Sequence, residues 1–152
     1  MRIVVGCDHR GYAVKQRLAA TLAKLGHEVR DVGVATGDEA ADYPDFAIPV
    51  SEAVARGEAD RGILICGTGF GMCIVANKVP GIRAVTCRDP IEAEMSRRHN
   101  NANVLCMSAD FLGQELIDRM VQVWLNTDFE AGRHQRRVEK ITKYEAEHTS
   151  GS

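Results

Sequence analysis

The chain has 152 residues, 45% of them apolar, which is the length of one domain with a single substantial core. Its 19 basic and 21 acidic residues give a formal net charge of −2, which argues against electrostatic steering to nucleic acid or to an anionic membrane. No apolar run approaches the roughly 18 residues of a membrane span, and Met1–Gly6 lacks the character of a signal peptide. We therefore predict a cytoplasmic protein that binds small molecules or further copies of itself.

The first part of the chain alternates strands with helices. Arg2–Cys7 predicts a short buried strand, and apolar residues at helical spacing then predict a helix that ends at Gly26: Val14, Leu18, Leu22 and Leu25. A strand at Glu28–Val32 and a helix at Asp45–Arg56 repeat the alternation.

The second part continues in the same way. The predicted elements are a strand at Gly62–Cys66, a helix through Lys78, a strand at Ile82–Cys87, a helix at Pro90–Arg98, a strand at Asn103–Met107, and a helix whose apolar face carries Leu116, Met120 and Trp124. Five such alternations predict an α/β fold, with a mainly parallel sheet covered by helices on both faces.

The last part of the chain differs in composition. Arg133–Glu147 is helical in pattern but highly charged, with Val138 and Ile141 as its few apolar residues, so we expect it outside the core, against a neighbouring subunit. We predict a single domain over residues 1–148 and a disordered tail at 149–152.

The cysteines give no sign of a disulfide framework or a zinc site. Their number is odd and no C-x-x-C pair occurs, which fits a reducing compartment: Cys7, Cys66, Cys73, Cys87 and Cys106. Cys73, Cys87 and Cys106 are interpreted as small buried hydrophobes.

Reactive residues collect just after the predicted strands, where open α/β sheets bind their ligands. They lie at Cys7–Gly11, Cys66–Gly71 and Arg88–Pro90, and a further group ends the fourth helix at His99–Asn101. The glycine-rich turn after Cys66 resembles a dinucleotide fingerprint, but its third glycine comes one residue early and the turn follows the third strand. Asp89 is better explained as a helix cap before Pro90. A phosphate loop at Gly6–Gly11 is disfavoured because Tyr12 stands where that loop needs lysine.

The same turn suits an oxyanion cradle. Its glycines allow close backbone approach, and N–H groups at a helix start favour developing negative charge. Cys66 lies at the edge of this turn, where a helix dipole stabilises a thiolate, so Cys66 is a candidate base or nucleophile. Arg133 and Arg137 lie one helical turn apart and suit a phosphate, although a solvated basic face explains them equally well.

Several segments together resemble the type B ribose-5-phosphate isomerase family, which includes the galactose-6-phosphate and allose-6-phosphate isomerases. The matching segments are Gly6–His9, Asp42–Asp45, Gly62–Gly69, Ala76–Lys78, His99–Asn100 and Gly132–His134. The resemblance extends from Met1 to about Ile141. It implies a three-layer, Rossmann-like αβα fold with strand order 2-1-3-5-4 and a C-terminal helix that reaches a partner subunit. It also implies a homodimer or tetramer with shared active sites, and aldose-ketose isomerisation without metal or cofactor.

The resemblance also implies roles for individual residues. Cys66 would be the base, Thr68 would assist proton transfer between the substrate oxygens, and the turn would donate N–H groups to an enediolate, from Gly67, Gly69 and Gly71. His99 and Asn100 of the partner would open the sugar ring. Asp8 and Tyr43 would contact the sugar, and the phosphate would be held by His9, Arg133 and Arg137. Some members use a later glutamate as base, but this chain has Met72 there.

One departure from the family concerns the phosphate. Many members carry an arginine after the fifth strand, where this chain has Asp110. We expect interconversion of ribose 5-phosphate and ribulose 5-phosphate, a reaction of the pentose phosphate pathway. The alternatives are isomerisation of another aldose, either a six-carbon phosphate or an unphosphorylated sugar, and non-catalytic binding of a phosphosugar.

Overall fold

A computed structural model describes residues 1–149 as one parallel sheet between two layers of helices. The strands are β1 (Arg2–Cys7), β2 (Glu28–Asp31), β3 (Arg61–Cys66), β4 (Ala84–Thr86) and β5 (Val104–Ser108). Their order is β2-β1-β3-β5-β4, and every pairing is parallel. The predicted fold class and strand order are confirmed.

Six α-helices follow the strands or close the chain. They are α1 (Tyr12–Lys24), α2 (Pro44–Ala55), α3 (Phe70–Ala76), α4 (Pro90–Asn100), α5 (Gln114–Asn126) and α6 (Gly132–Thr149), and a 3₁₀ turn at His9–Gly11 precedes α1. The core has two parts, one on each face of the sheet, because successive side chains of a strand point to opposite faces. Ile3 and Val5 pack with α1 and α5, whereas Val4 packs with α2 and α3.

The boundaries of several elements differ from the predictions because side chains cap the segments. β4 covers only three residues of the predicted Ile82–Cys87, and the Asn77 amide holds both backbone groups of Ala84, at 2.9 Å each. α3 ends at Ala76 rather than Lys78. α4 extends beyond Arg98 to Asn100, and Asn101 ends it with a left-handed backbone (φ 50°). Asp89 caps α4 by accepting a hydrogen bond from the Glu92 N–H at 2.8 Å, as predicted.

The direction of α4 determines where its last residues lie. The helix begins after β4, at the edge where the strands end, and runs back to the edge where they begin. There Asn103 links the segment after α4 to the starts of β3 and β4. Its carbonyl accepts the Gly62 N–H at 3.0 Å, and its side chain accepts the Arg83 N–H at 2.8 Å. We call the two ends of the sheet the carboxyl edge, which carries Cys66, and the amino edge, which carries His99–Asn101.

α6 packs lightly on the rest of the molecule. Only His134 and Val138 are buried along it, and a Glu145 carboxylate accepts the Gly81 N–H at 2.9 Å. The helix runs to Thr149, and residues 150–152 of the predicted tail lie outside the described residues. Within residues 1–149, no helix is both long enough and apolar enough to cross a membrane.

Candidate active site

Cys66 lies at the carboxyl edge, where β3 ends and the glycine turn begins. Its side chain is almost fully buried, and its Sγ accepts a hydrogen bond from the Gly69 N–H at 3.1 Å. Gly69 has a left-handed backbone (φ 84°), and a Cβ there would lie 3.0 Å from the carbonyl carbon of Met107. Glycine is therefore required for this turn. The Gly69 N–H is aimed at the sulfur and fixes the Cys66 side chain at the start of the turn.

Thr68 and Tyr43 border the same turn. The Thr68 hydroxyl accepts the Phe70 N–H at 3.2 Å, which leaves its own O–H able to donate to a ligand. The Tyr43 ring lies against Gly71, where a Cβ would come within 2.7 Å of it. Both predicted residues therefore lie beside the Cys66 turn.

Asp8 and His9 follow β1 and complete this set. The buried Asp8 carboxylate accepts the N–H groups of Arg10 and Gly11, at 3.0 and 3.3 Å, and thereby fixes the turn after β1. His9 Nδ1 accepts the Ala41 N–H at 3.1 Å. This bond assigns the ring proton to Nε2, which can donate to an anion.

A second set of predicted residues lies at the amino edge. His99 stacks on His134, with ring centroids 4.2 Å apart and planes 13° apart. Burial, followed by the charge of His99, lowers the pKa of His134. The segment before α6 is fixed by Glu130, whose carboxylate accepts a bond from Arg98 Nε at 2.5 Å and whose N–H donates to the Arg98 carbonyl at 3.1 Å. Arg133 and Arg137 extend the set from the first turns of α6, and both are exposed.

Sequence spacing missed one grouping at the amino edge. His99, Glu130 and His134 place ligand atoms within 4.8 Å of one another, which makes them a candidate metal-binding set. A nitrogen lone pair lies in its ring plane, so two nearly parallel rings do not aim at one ion as a metal at about 2.0–2.1 Å requires. The geometry therefore fits a stacked histidine pair better than a metal site. His134 was part of a matching motif, but nothing in the sequence indicated that it stacks on His99.

Cys73 has an unexpected electrostatic environment. A hydrogen bond from Cys106, then those from Thr86 and Asn77, lower the pKa of Cys73 to about 6 against the opposing effect of burial. Its S–H donates to the Ala84 carbonyl at 3.5 Å, away from the glycine turn. The lowered pKa therefore distinguishes Cys73, whereas the position at the end of β3 favours Cys66 as a base.

The two sets are separated by the length of the sheet. β3 runs from Arg61 at the amino edge to Cys66 at the carboxyl edge, five residue steps of about 3.3 Å each, or roughly 16 Å. One chain therefore brings Cys66, Thr68, Tyr43, Asp8 and His9 together at one edge and His99, Asn100, Arg133 and Arg137 together at the other. It does not bring the two sets to a single site.

Comparisons with known proteins agree on one family. A family model described as Ribose/Galactose Isomerase matches residues 3–141. Ribose-5-phosphate isomerase B of Escherichia coli is 49% identical over 144 residues, covering 95% of this chain and 96% of that protein. D-erythrulose-4-phosphate isomerase of Pectobacterium atrosepticum is 41% identical over 145 residues, covering 95% of each. The solved ribose-5-phosphate isomerase B of Clostridium thermocellum superposes with a TM-score of 0.95 at 48% identity, covering 98% of this chain and 100% of that one.

Proposed function

The chain belongs to the ribose/galactose isomerase family, and from that membership we propose that it interconverts ribose 5-phosphate and ribulose 5-phosphate without a metal. The observation that carries this proposal is the position of the Cys66 thiol. Cys66 is the last residue of β3, and its Sγ accepts a hydrogen bond from the Gly69 N–H at 3.1 Å. A thiol held in this way is a base at the place where a parallel α/β sheet binds its ligands.

The reaction moves one proton between two carbons. The Cys66 thiolate takes the proton from C2 of the open-chain aldose, which leaves an enediolate, and the resulting thiol returns the proton to C1 of the ketose. The Thr68 hydroxyl lies beside the same turn and moves the second proton between the oxygens on C1 and C2. The N–H groups of Gly67 and Gly71 stabilise the enediolate. Gly69, which the resemblance also gave as a donor to the enediolate, is left out of this role because its N–H is bonded to the Cys66 sulfur.

Ribose 5-phosphate is mainly a closed ring, so a further group must open it. We assign this step to His99 of a second copy, with Asn100 beside it, because the chain's own His99 lies at the opposite edge of the sheet. The phosphate is then held by His9 from one chain and by Arg133 and Arg137 from the other. Asp8 and Tyr43 contact the sugar between them.

A second copy of the chain also suits the surface around the turn. Apolar side chains beside it are open to solvent in the single chain, including Phe70 at 54% and Ile74 at 62%, together with Tyr43 and Ile48. Such a patch beside a half-complete site supports a self-association surface. The lightly packed α6 supports the same conclusion.

A substrate panel tests the proposal. We expect ketose formation from ribose 5-phosphate to exceed that from allose 6-phosphate, erythrose 4-phosphate and unphosphorylated ribose. Conversion of a different phosphate as the best substrate would keep the enzyme class and overturn the substrate. Binding of phosphosugars without conversion of any of them would establish the non-catalytic alternative, against which the intact set of Cys66, Thr68 and His99 argues.

A different sugar is the second candidate function, and Asp110 is the observation that favours it. A carboxylate follows β5 where many family members carry an arginine, in a segment bonded to the glycine turn, so the cation that those members have after β5 is missing from this position. The relative from Pectobacterium atrosepticum carries the name of an isomerase for a four-carbon phosphate, which supports variation of substrate within the family. Erythrose 4-phosphate in the panel tests this candidate directly.

A further inference from the structure

Arg10 and Asp110 form an ion pair beside the glycine turn. Arg10 lies in the 3₁₀ turn after β1, and Asp110 lies in the segment after β5. The Arg10 Nη2 donates to the Asp110 carboxylate. Their side chains are 57% and 33% exposed, so the pair is open to solvent on one side. The negative charge of Asp110 is thus matched by a cation from a distant part of the chain.

Gly67, the residue after Cys66, fixes the position of this pair. A Cβ at Gly67 would lie 3.0 Å from Arg10 Nε and 3.1 Å from the Asp110 carboxylate, so both side chains occupy the space that glycine leaves. The Gly67 carbonyl accepts the Asp110 N–H at 3.1 Å and the Ser108 hydroxyl at 2.6 Å. The guanidinium therefore lies directly against the residue that follows the candidate base.

The guanidinium keeps donors for a ligand. An arginine has five N–H groups, and the bond to Asp110 uses one nitrogen. The hydrogen bond and charge of Asp110 raise the pKa of Arg10, which stays protonated throughout the working range. Arginine is the side chain best suited to bind a phosphate through several N–H groups at once.

We propose that Arg10 is a phosphate-binding residue of the carboxyl-edge half-site, held against Gly67 by Asp110. This inference rests on the proposed function, because it takes the reacting carbons to lie at Cys66. A phosphate on the same five-carbon chain lies within reach of the residues around Gly67. Arg10 would then give each chain a permanent cation of its own, in addition to the two arginines that the partner supplies.

The competing explanation is that the pair only ties two loops together. Exposed ion pairs contribute little to stability, and many contribute nothing measurable. The chain offers a matched control in the Arg17–Asp118 pair, which also joins residues about 100 positions apart, at 2.6 Å, and lies away from the glycine turn. A purely structural role predicts similar behaviour for the two pairs.

The experiment compares Arg10→Gln, Arg10→Lys and Arg17→Gln with the wild-type protein. Four quantities are measured: kcat and KM for ribose 5-phosphate, the affinity for inorganic phosphate as a probe, and the midpoint of urea unfolding. We expect Arg10→Gln to raise KM and weaken phosphate binding by about tenfold, the scale of one charge-assisted hydrogen bond, with kcat within about twofold. Arg10→Lys should recover part of the loss. Arg17→Gln should change neither the KM nor the phosphate affinity.

The outcomes separate this inference from the proposed function. If Arg10→Gln lowers the unfolding midpoint but leaves KM and phosphate affinity unchanged, the pair is structural and the inference is wrong. If the wild-type protein does not isomerise ribose 5-phosphate, the proposed function fails, and the phosphate titration of the same variants still decides the role of Arg10. A wild-type protein that neither converts the sugar phosphate nor binds phosphate would overturn both.

Discussion

The two edges of the sheet hold their candidate residues in different ways. At the carboxyl edge, backbone groups fix each side chain: the Gly69 N–H holds Cys66, the Ala41 N–H holds His9, and Asp8 caps its own turn. At the amino edge, side chains hold one another, as in the His99–His134 stack and the Arg98–Glu130 pair. In the first arrangement Cys66 and Asp8 are buried and bonded to backbone groups. The second lies on helix ends, where His134 is buried but Arg133 and Arg137 are exposed.

The way in which each edge holds its side chains limits the chemistry that the edge can support. Removing a carbon-bound proton needs a base that is fixed to within a fraction of an ångström, which strand ends and glycine turns provide. Opening a ring and holding a phosphate tolerate longer side chains on helix ends. We therefore propose that proton transfer between carbons takes place at the carboxyl edge and ring opening at the amino edge of a second copy.

The largest effect is expected from removing the base. Cys66→Ser should lower kcat by about a thousandfold or more, since a serine hydroxyl loses its proton far less readily than a thiol and is a much poorer base for this step. The measurement is ketose formation from ribose 5-phosphate, with folding checked by circular dichroism.

Cys73→Ser is the matched control for this prediction. Cys73 has the lowered pKa, about 6, but faces Ala84 rather than the turn, so we expect wild-type activity from this variant. Loss of activity in Cys73→Ser, with Cys66→Ser active, would show that charge and not position identifies the base.

A second prediction separates the chemistry of the two edges. His99→Ala should lower conversion of ribose 5-phosphate by about a hundredfold, the scale of general acid-base catalysis. Ribulose 5-phosphate has no free hydroxyl with which to close a five-membered ring, so its enediolate forms without ring opening. Exchange of its C1 proton with D₂O, followed by NMR, should therefore survive in His99→Ala and be lost in Cys66→Ser. Loss of this exchange in both variants would contradict the division of labour.

A smaller effect is expected from pH at the amino edge. The pKa of His134 is lowered by burial and then by His99, so the unfolded chain binds the His134 proton more tightly than the folded one. The stability that neutral His134 contributes is present above its unfolded pKa of about 6.5 and is lost as the pH falls below it. The free energy of unfolding, measured in urea between pH 5 and pH 8, should therefore rise with pH. His134→Gln should reduce this pH dependence, and an equal pH dependence in both proteins would contradict the lowered pKa of His134.

The smallest effect is expected from chelation. The proposed mechanism relies on a thiol and backbone donors at the carboxyl edge, so exhaustive treatment with a chelator should leave the rate unchanged. The amino edge makes this test informative, because His99, Glu130 and His134 could hold a metal if the two imidazole rings rotated out of their stack. A loss of activity that only a divalent ion restores would place a metal in that set.

The sequence predicted the fold well because the spacing of apolar residues indicates the strands and helices. Buried parallel strands such as Gly62–Cys66 appear as continuous apolar runs, and Asp89 before Pro90 signals a helix start. The ends of β4 and α4 were less accurate. They depend on Asn77 and Asn101, whose roles come from tertiary hydrogen bonds and a left-handed backbone that local pattern does not reveal.

The candidate site was predictable only in part. Position after a strand pointed to Cys66 as a candidate, and motif resemblance pointed to His99 and the arginines of α6. The pairing of Arg10 with Asp110 was not predictable, because the two residues are 100 positions apart and meet only through the order of the strands. The stacking of His134 on His99 likewise depends on how α6 returns to α4.

We propose that one site combines the carboxyl edge of one chain with the amino edge of another. A mixed dimer of Cys66→Ala and His99→Ala chains is the decisive test of this shared site. If the site is shared, one site of the mixed dimer carries both substitutions and the other carries neither. Random reassociation makes half of the dimers mixed, and each of these has one intact site of two.

The two inactive variants are unfolded and refolded together, and the mixed dimers are verified by mass. We expect recovery of roughly a quarter of the wild-type activity, while each variant refolded alone stays inactive. Verified mixed dimers with no recovered activity would show that Cys66 and His99 act within one chain, and would contradict the shared site.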